Sequence, residues 1–301
     1  MIRVPEPALT APRRPPATGP ASVPPVVLVL GGITSVQFGA ALAKTLFDEV
    51  GVGGTVFLRV FFAALVLALI WRPRLAAHGR DDLLLAVAFG LTLGAMNLAF
   101  YSALERIPLA IAVTFEFVGP LGVAVAGSRR PLDLLWVALA AAGILLLSDF
   151  GSTDLDGLGV ALALLAGGLW AAYILLSARV GRAFPGGSGL TLAMVVASAM
   201  LLPVGVGDAG ADLLVPWILA AAAGVAILSS AIPYSLEMEA LRRMPPRVFG
   251  VLMSLEPAAG ALAGLVLLSE GLAAREVVAI LLVIAASAGA ASQANVAPRD
   301  A

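Results

Sequence analysis

Residues 101–127, YSALERIPLAIAVTFEFVGPLGVAVAG, align without a gap on residues 238–264, MEALRRMPPRVFGVLMSLEPAAGALAG. Eight of the 27 positions are identical, among them Ala103/Ala240, Leu104/Leu241, Arg106/Arg243, Pro108/Pro245, Pro120/Pro257 and Gly127/Gly264. An apolar background inflates matches of Ala and Leu, but two prolines and an arginine in register weigh more. The offset of 137 residues carries the third and fourth apolar runs of the chain onto the eighth and ninth. A shift of five runs is odd, so it reverses the direction in which a run crosses a membrane. The halves therefore read as inverted repeats, an architecture of secondary carriers whose site lies near the midplane where the repeats meet.

The runs predict ten spans, at 25–46, 53–71, 83–104, 107–127, 132–149, 155–178, 188–206, 214–238, 246–268 and 272–292. A span needs about 20 apolar residues, so ten of them leave room for short connections only. Pro73, Pro108, Pro131, Pro185 and Pro245 all fall at breaks, where a missing N–H costs little. Composition agrees: the 301 residues are 60% hydrophobic and 12% charged, with mean hydropathy +1.02. A soluble surface takes about 25% charged residues. A disordered chain, an ordinary cytosolic enzyme and, at net charge −1, a nucleic-acid binder are all excluded. The expected fold is all-α and integral to the membrane, ten transmembrane helices as two five-helix repeats, 25–149 and 155–292. Residues 1–24, dense in proline, and 293–301 read as cytoplasmic tails. Arg13-Arg14 is followed at once by Pro15-Pro16, which speaks against a cleaved twin-arginine signal. The chain has no cysteine, which removes disulfide and thiolate chemistry.

Orientation follows from the basic residues. Alternate loops and the tails hold 14 of the 18, including Arg72, Arg80, Arg130, Arg179, Arg242, Arg243 and Arg247. The other side receives Arg106 and Arg275 with ten acids, while Lys44 and Arg59 lie within spans. Both termini are thus expected on the cytoplasmic side.

Span order, repeat and local motifs resemble the drug/metabolite transporter superfamily, specifically its ten-helix EamA-type members, and among these the bacterial threonine/homoserine exporters. The residues that carry the likeness are Gln37 with Ala43-Lys44, Met96-Asn97 to Phe100-Tyr101, Glu116-Phe117 with Gly119-Pro120-Leu121, and Ser128-Arg129-Arg130-Pro131. In the second half they are Pro233 to Met238, Phe249-Gly250, Leu252-Met253-Ser254 and Glu256-Pro257-Ala258. The likeness covers roughly residues 25–292. It departs in the proline-rich tail and at Phe38, bulky beside Gly39, which would narrow or reshape the site. The resemblance implies a protein of the bacterial inner membrane that exports small hydrophilic amino acids against protons, through a cavity between the halves. A drug or other metabolite exporter of the same superfamily is the first alternative, although span 1 lacks a carboxylate. A non-transporting scaffold or receptor is the second, and it would not need inverted repeats with a midplane acid in each.

Polar residues deep in hydrocarbon are costly and therefore informative. Glu116 lies roughly 14 Å from the outer end of span 4 and Glu256 roughly 16 Å from the inner end of span 9. Each is a candidate to bind a substrate ammonium, a proton, or each in turn. Arg59, roughly 10 Å from the outer end of span 2, is expected to pair with Glu116, because a buried arginine needs a partner. Glu256 has no cation at its depth. Lys44 can snorkel toward Asp48 or Glu49. Glu237 and Glu239, just before Arg242 and Arg243, read as an interfacial ion-pair cluster or an inner gate, with Glu239 and Arg243 at i,i+4. Gln37, Asn97, Tyr101, Tyr234, Ser229 and Ser230 are neutral candidates that serve equally as glue between helices or, for the tyrosines, as interfacial anchors. The glycine pairs Gly90/Gly94 and Gly260/Gly264 allow close helix contact; packing within the chain explains them, and a homodimer stays open without being demanded.

Enzyme chemistry finds no footing. Gly205-Val206-Gly207-Asp208 resembles an intramembrane aspartyl protease motif, but no second aspartate stands at its depth. His78 is the single histidine and sits in a loop. No phosphate-binding glycine loop with lysine is present, so ATP does not drive this chain, and no cofactor or metal is expected.

Overall fold

Hydrocarbon offers no hydrogen bonds, so a chain this apolar must satisfy its backbone within each segment. The computed structural model describes residues 23–73, 78–128, 130–147, 156–259 and 274–296, and all regular structure among them is helical. Helix α1 spans Pro25–Trp71 and opens on a proline at its first position, where the missing N–H has no partner to lose. The expected loop between the first two spans shrinks to one non-helical residue, Gly51 at φ 65° and ψ −178°. That backbone is cheap only for glycine. Two arms result, before and after Gly51.

Helix α2, Arg80–Leu104, carries Asp81 and Asp82 in its first turn, where they complement the helix dipole. The fourth predicted span is two pieces, α3 at Leu109–Glu116 and α4 at Val118–Gly127. Helices α5, Pro131–Leu147, α6, Gly157–Ala183, and α7, Ser188–Ala209, follow. The Asp156 carboxylate caps α6, accepting the N–H groups of Leu158 at 2.7 Å and Gly159 at 3.1 Å. The eighth span is composite: α8 at Pro216–Ala226, a π-helical turn at Ile227–Ala231, and α9 at Ile232–Leu241. The turn widens just ahead of Pro233, whose ring and missing N–H do not fit a regular ladder. Helix α10 covers Pro246–Met253, and residues 255–259 are again helical. Helix α11, Ala274–Val296, ends the described chain.

The two aligned segments break at the same place. Pro120 and Pro257 deprive the carbonyls four residues earlier, those of Glu116 and Met253, of their helical partners. The helices are interrupted at Phe117 and at Ser254, positions that correspond under the repeat.

Among the described residues, five helices are long and apolar enough to cross a membrane: Leu46–Trp71, Arg80–Leu104, Gly157–Ala183, Ser188–Leu214 and Pro216–Leu241. Pro25–Gly39, Ile111–Gly127, Pro131–Leu146 and Val277–Ser292 are shorter apolar helices. Leu69, Ile70, Leu145 and Leu281 project outward, while small residues let backbones meet inside. Gly90 packs on Ala193 and Gly94 on Ala197 and Met200, so this glycine pair is used within the chain. A Cβ on Gly119 would overlap the carbonyl of Gly167, which brings α4 directly against α6. Gly260 and Gly264, the first 22 residues and residues 297–301 lie outside the described residues, as does the side chain of Lys44.

Candidate functional site

The second arm of α1 carries Arg59 into the interior, where it is 8% exposed. Its Nη1 donates to the Tyr101 hydroxyl at 3.1 Å and its Nη2 to Asn97 Oδ1. Asn97 and Tyr101 stand one turn apart on α2 and therefore share a face. The guanidinium also lies over the Tyr101 ring, 5.2 Å from its centroid. Asn97 turns its amide to the Leu93 carbonyl at 2.8 Å and reaches the Tyr234 hydroxyl of α9 at 3.5 Å.

The expected ion pair between Arg59 and Glu116 is not made. Among the described residues no carboxylate oxygen lies within 4.0 Å of Arg59. The α2 helix presents two neutral acceptors directly to the guanidinium, and Glu116, at the broken end of α3, stands farther off. It is still near enough for its charge to act on Arg59.

The acids divide differently from the sequence expectation. Glu237 leaves the ion-pair cluster altogether: it is 4% exposed and accepts the Tyr173 hydroxyl of α6 at 2.9 Å. Two residues along a helix turn the side chain by about 200°, so Glu239 faces the opposite way. Glu239 binds Arg242 at 2.6 Å and the Nε of Arg243 at 2.8 Å. Arg242 also donates to the carbonyls of Gly181 at 2.6 Å, Phe184 at 3.0 Å and Gly186. Arg243 reaches the Val23 carbonyl at 3.3 Å.

Glu256 lies in the turn after the α10 break. It lies within electrostatic range of Glu116 and of Glu237. No hydrogen bond or ion pair holds the Glu116 or Glu256 carboxylate among the described residues. Gln37 reaches this region but spends its amide N–H on the Glu256 backbone carbonyl at 3.0 Å. It pins the helix break with one N–H of its amide.

Tyr173 belongs to the site and was not among the sequence candidates. Its signal was there: a tyrosine far from either end of a long apolar run must find a partner for its hydroxyl. Its ring sits 5.5 Å from that of Tyr234 and 5.4 Å from that of Phe89. Ser229 is satisfied by the Val225 carbonyl at 2.7 Å, and Ser35 donates to the Leu228 carbonyl at 2.6 Å beside the π turn. Ser230 has no partner among the described residues. Phe38 is 54% exposed. Among the described residues no three His, Asp or Glu side chains stand together as a metal site.

Residues 157–291 match the model of the EamA-like transporter family. Over 268 residues the chain is 42% identical to the threonine/homoserine exporter RhtA of Salmonella typhimurium (strain LT2), covering 88% of this chain and 90% of that protein. The chain belongs to the EamA-like transporter family. A second member, the threonine/homoserine exporter RhtA of Escherichia coli (strain K12), is 42% identical over 267 residues, with the same coverage. A crystal structure 19% identical in sequence superposes with a TM-score of 0.74 over 90% of this chain and 97% of the other, so the fold is shared. Family membership makes this a membrane transport protein of the drug/metabolite transporter superfamily rather than an enzyme.

Proposed function

We propose that this chain exports small hydrophilic amino acids of the threonine and homoserine kind, in exchange for protons, across the bacterial inner membrane. In this reading its ten helices form two inverted repeats, 25–149 and 155–292, with both termini cytoplasmic. The observation that carries it is the polar cluster around Arg59, Asn97 and Tyr234. A bilayer interior tolerates such groups only where they act. These come from both halves, and Asn97 touches Tyr234, its own counterpart 137 residues on. A contact between repeat-equivalent residues is what a two-fold axis through the site would produce. The names of the 42% identical relatives support the substrate class.

Glu256 is the acid assigned to the proton. It is held by no cation, stands next to the break before Pro257, and is close enough to Glu116 and Glu237 for their charges to compete. Glu256→Gln keeps the shape and removes the ionisation. Reconstituted in proteoliposomes, the variant should lose threonine transport driven by a pH gradient, while exchange of labelled for unlabelled threonine without a gradient survives. Gradient-driven transport at the wild-type rate would assign the proton elsewhere, with Glu116 next.

A further inference from the structure

The cluster keeps opposite charges close without letting them neutralise one another. Arg59 is 8% exposed, yet the side chains against it are the neutral Asn97, Tyr101 and Tyr234, and its Nε–H has no partner among the described residues. Glu116 is near enough to act on it through space but outside ion-pair range. A buried guanidinium without a carboxylate partner is expensive. Structural pairing would have closed these gaps. A free amino acid carries the two missing groups: a carboxylate, which fits the planar fork of an arginine, and an ammonium, which fits an acid such as Glu116.

We propose that Arg59 anchors the α-carboxylate of the transported amino acid through its unpartnered Nε–H, and that Glu116 receives the α-ammonium. Asn97 and Tyr101 are then positioning residues. Asn97 is itself fixed by the Leu93 carbonyl, and together the two hold Nη1 and Nη2 and aim the Nε–H. The assignment rests on the amino-acid exporter reading and sharpens it. It makes the zwitterionic backbone of the substrate the main recognition element and leaves the side chain to smaller contacts.

The experiment uses the full-length chain in detergent, labelled L-threonine, and three competitors: L-threonine, its methyl ester, which lacks the carboxylate, and N-acetyl-L-threonine, which lacks the ammonium. A charged hydrogen-bonded pair of this kind discriminates by about 30-fold. Wild-type protein should prefer threonine over each analogue by that factor. In Arg59→Gln threonine should fall to the level of the ester, whose own affinity is unchanged. In Glu116→Gln discrimination against the N-acetyl compound should fall while that against the ester persists. The wild-type series alone tests the proposal if Arg59→Gln fails to fold, and Arg59→Lys, which keeps the charge without the fork, should restore part of the preference. Equal competition by threonine and its ester in wild type would overturn the Arg59 assignment alone. No binding of threonine or homoserine by wild type would overturn the exporter reading and this assignment together.

Discussion

Arg106 and Arg243 occupy the same place in the two aligned segments, and each reaches the beginning of the other half. Arg106 meets Asp156, which caps α6, at 3.4 Å. Arg243 meets the carbonyl of Val23, just ahead of α1, at 3.3 Å. The two stand at opposite ends of α6, since Arg242 closes over the carbonyls of Gly181 and Phe184 at its finish. Their surroundings differ. The Arg106 and Asp156 side chains are 42% and 40% exposed and share one contact. Arg242, Arg243 and Glu239 are 20%, 24% and 27% exposed and bind one another and several backbone carbonyls. A repeated residue thus makes a shielded network at one end and a solvated pair at the other, and shielding decides what each contributes.

The largest effect should come from Arg242→Ala. It removes the donor to three carbonyls and one partner of Glu239; charged hydrogen bonds at a partly shielded site contribute about 2 kcal/mol. Melting of the solubilised chain should fall by several degrees, and unchanged melting would erase the difference between the two ends. Glu239→Gln comes next, at about 1 kcal/mol, because it leaves both arginines without their shared counter-charge. The chain has no cysteine, so Val23→Cys supplies a clean reporter. Glu239→Gln should make that cysteine react several-fold faster with a membrane-impermeant maleimide; an equal rate would mean that the network does not shield Val23.

Arg106→Ala should leave melting near neutral pH unchanged. The smallest effect is one of acidity at the same end. The Asp156 carboxyl is held below its ordinary range first by the Gly159 N–H, then by the Leu158 N–H, with Arg106 adding less. A lowered folded-state value means that its contribution is complete above the ordinary aspartate range and is lost as pH falls through the folded value. Melting followed from about pH 5 to about pH 3 should therefore show a small acid-induced drop in wild type. Arg106→Ala should keep most of it and Asp156→Asn should abolish it. If Arg106→Ala abolishes it too, the solvated pair matters more than its exposure allows.

Much of this was legible in the chain. The apolar runs marked the helices to within a few residues, and Pro120 and Pro257 announced two interruptions that fall in register. Arg59, Asn97, Glu116 and Glu256 stood out because each is a polar residue inside an apolar run. Their partners were not legible. Glu237 and Glu239 look alike in sequence, yet one faces Tyr173 and the other the arginines. Gln37 read equally as a substrate contact or as glue between helices, and it bonds a backbone carbonyl more than two hundred residues away.

The sequence by itself determined that the chain is helical and apolar, which residues are costly in hydrocarbon, and which positions recur at the 137-residue offset. These follow from side-chain chemistry and from the local need of a backbone in lipid to bond to itself. Tertiary structure alone decided which costly groups meet. The rotation of α9 separated Glu237 from Glu239, the face of α2 gave Arg59 two neutral acceptors in place of Glu116, and the break after α10 set Glu256 where Gln37 could pin its backbone. Partner choice depends on the angle and depth at which distant helices cross, and small residues such as Gly119 and Gly167 set those through packing that leaves no pattern in the order of either segment.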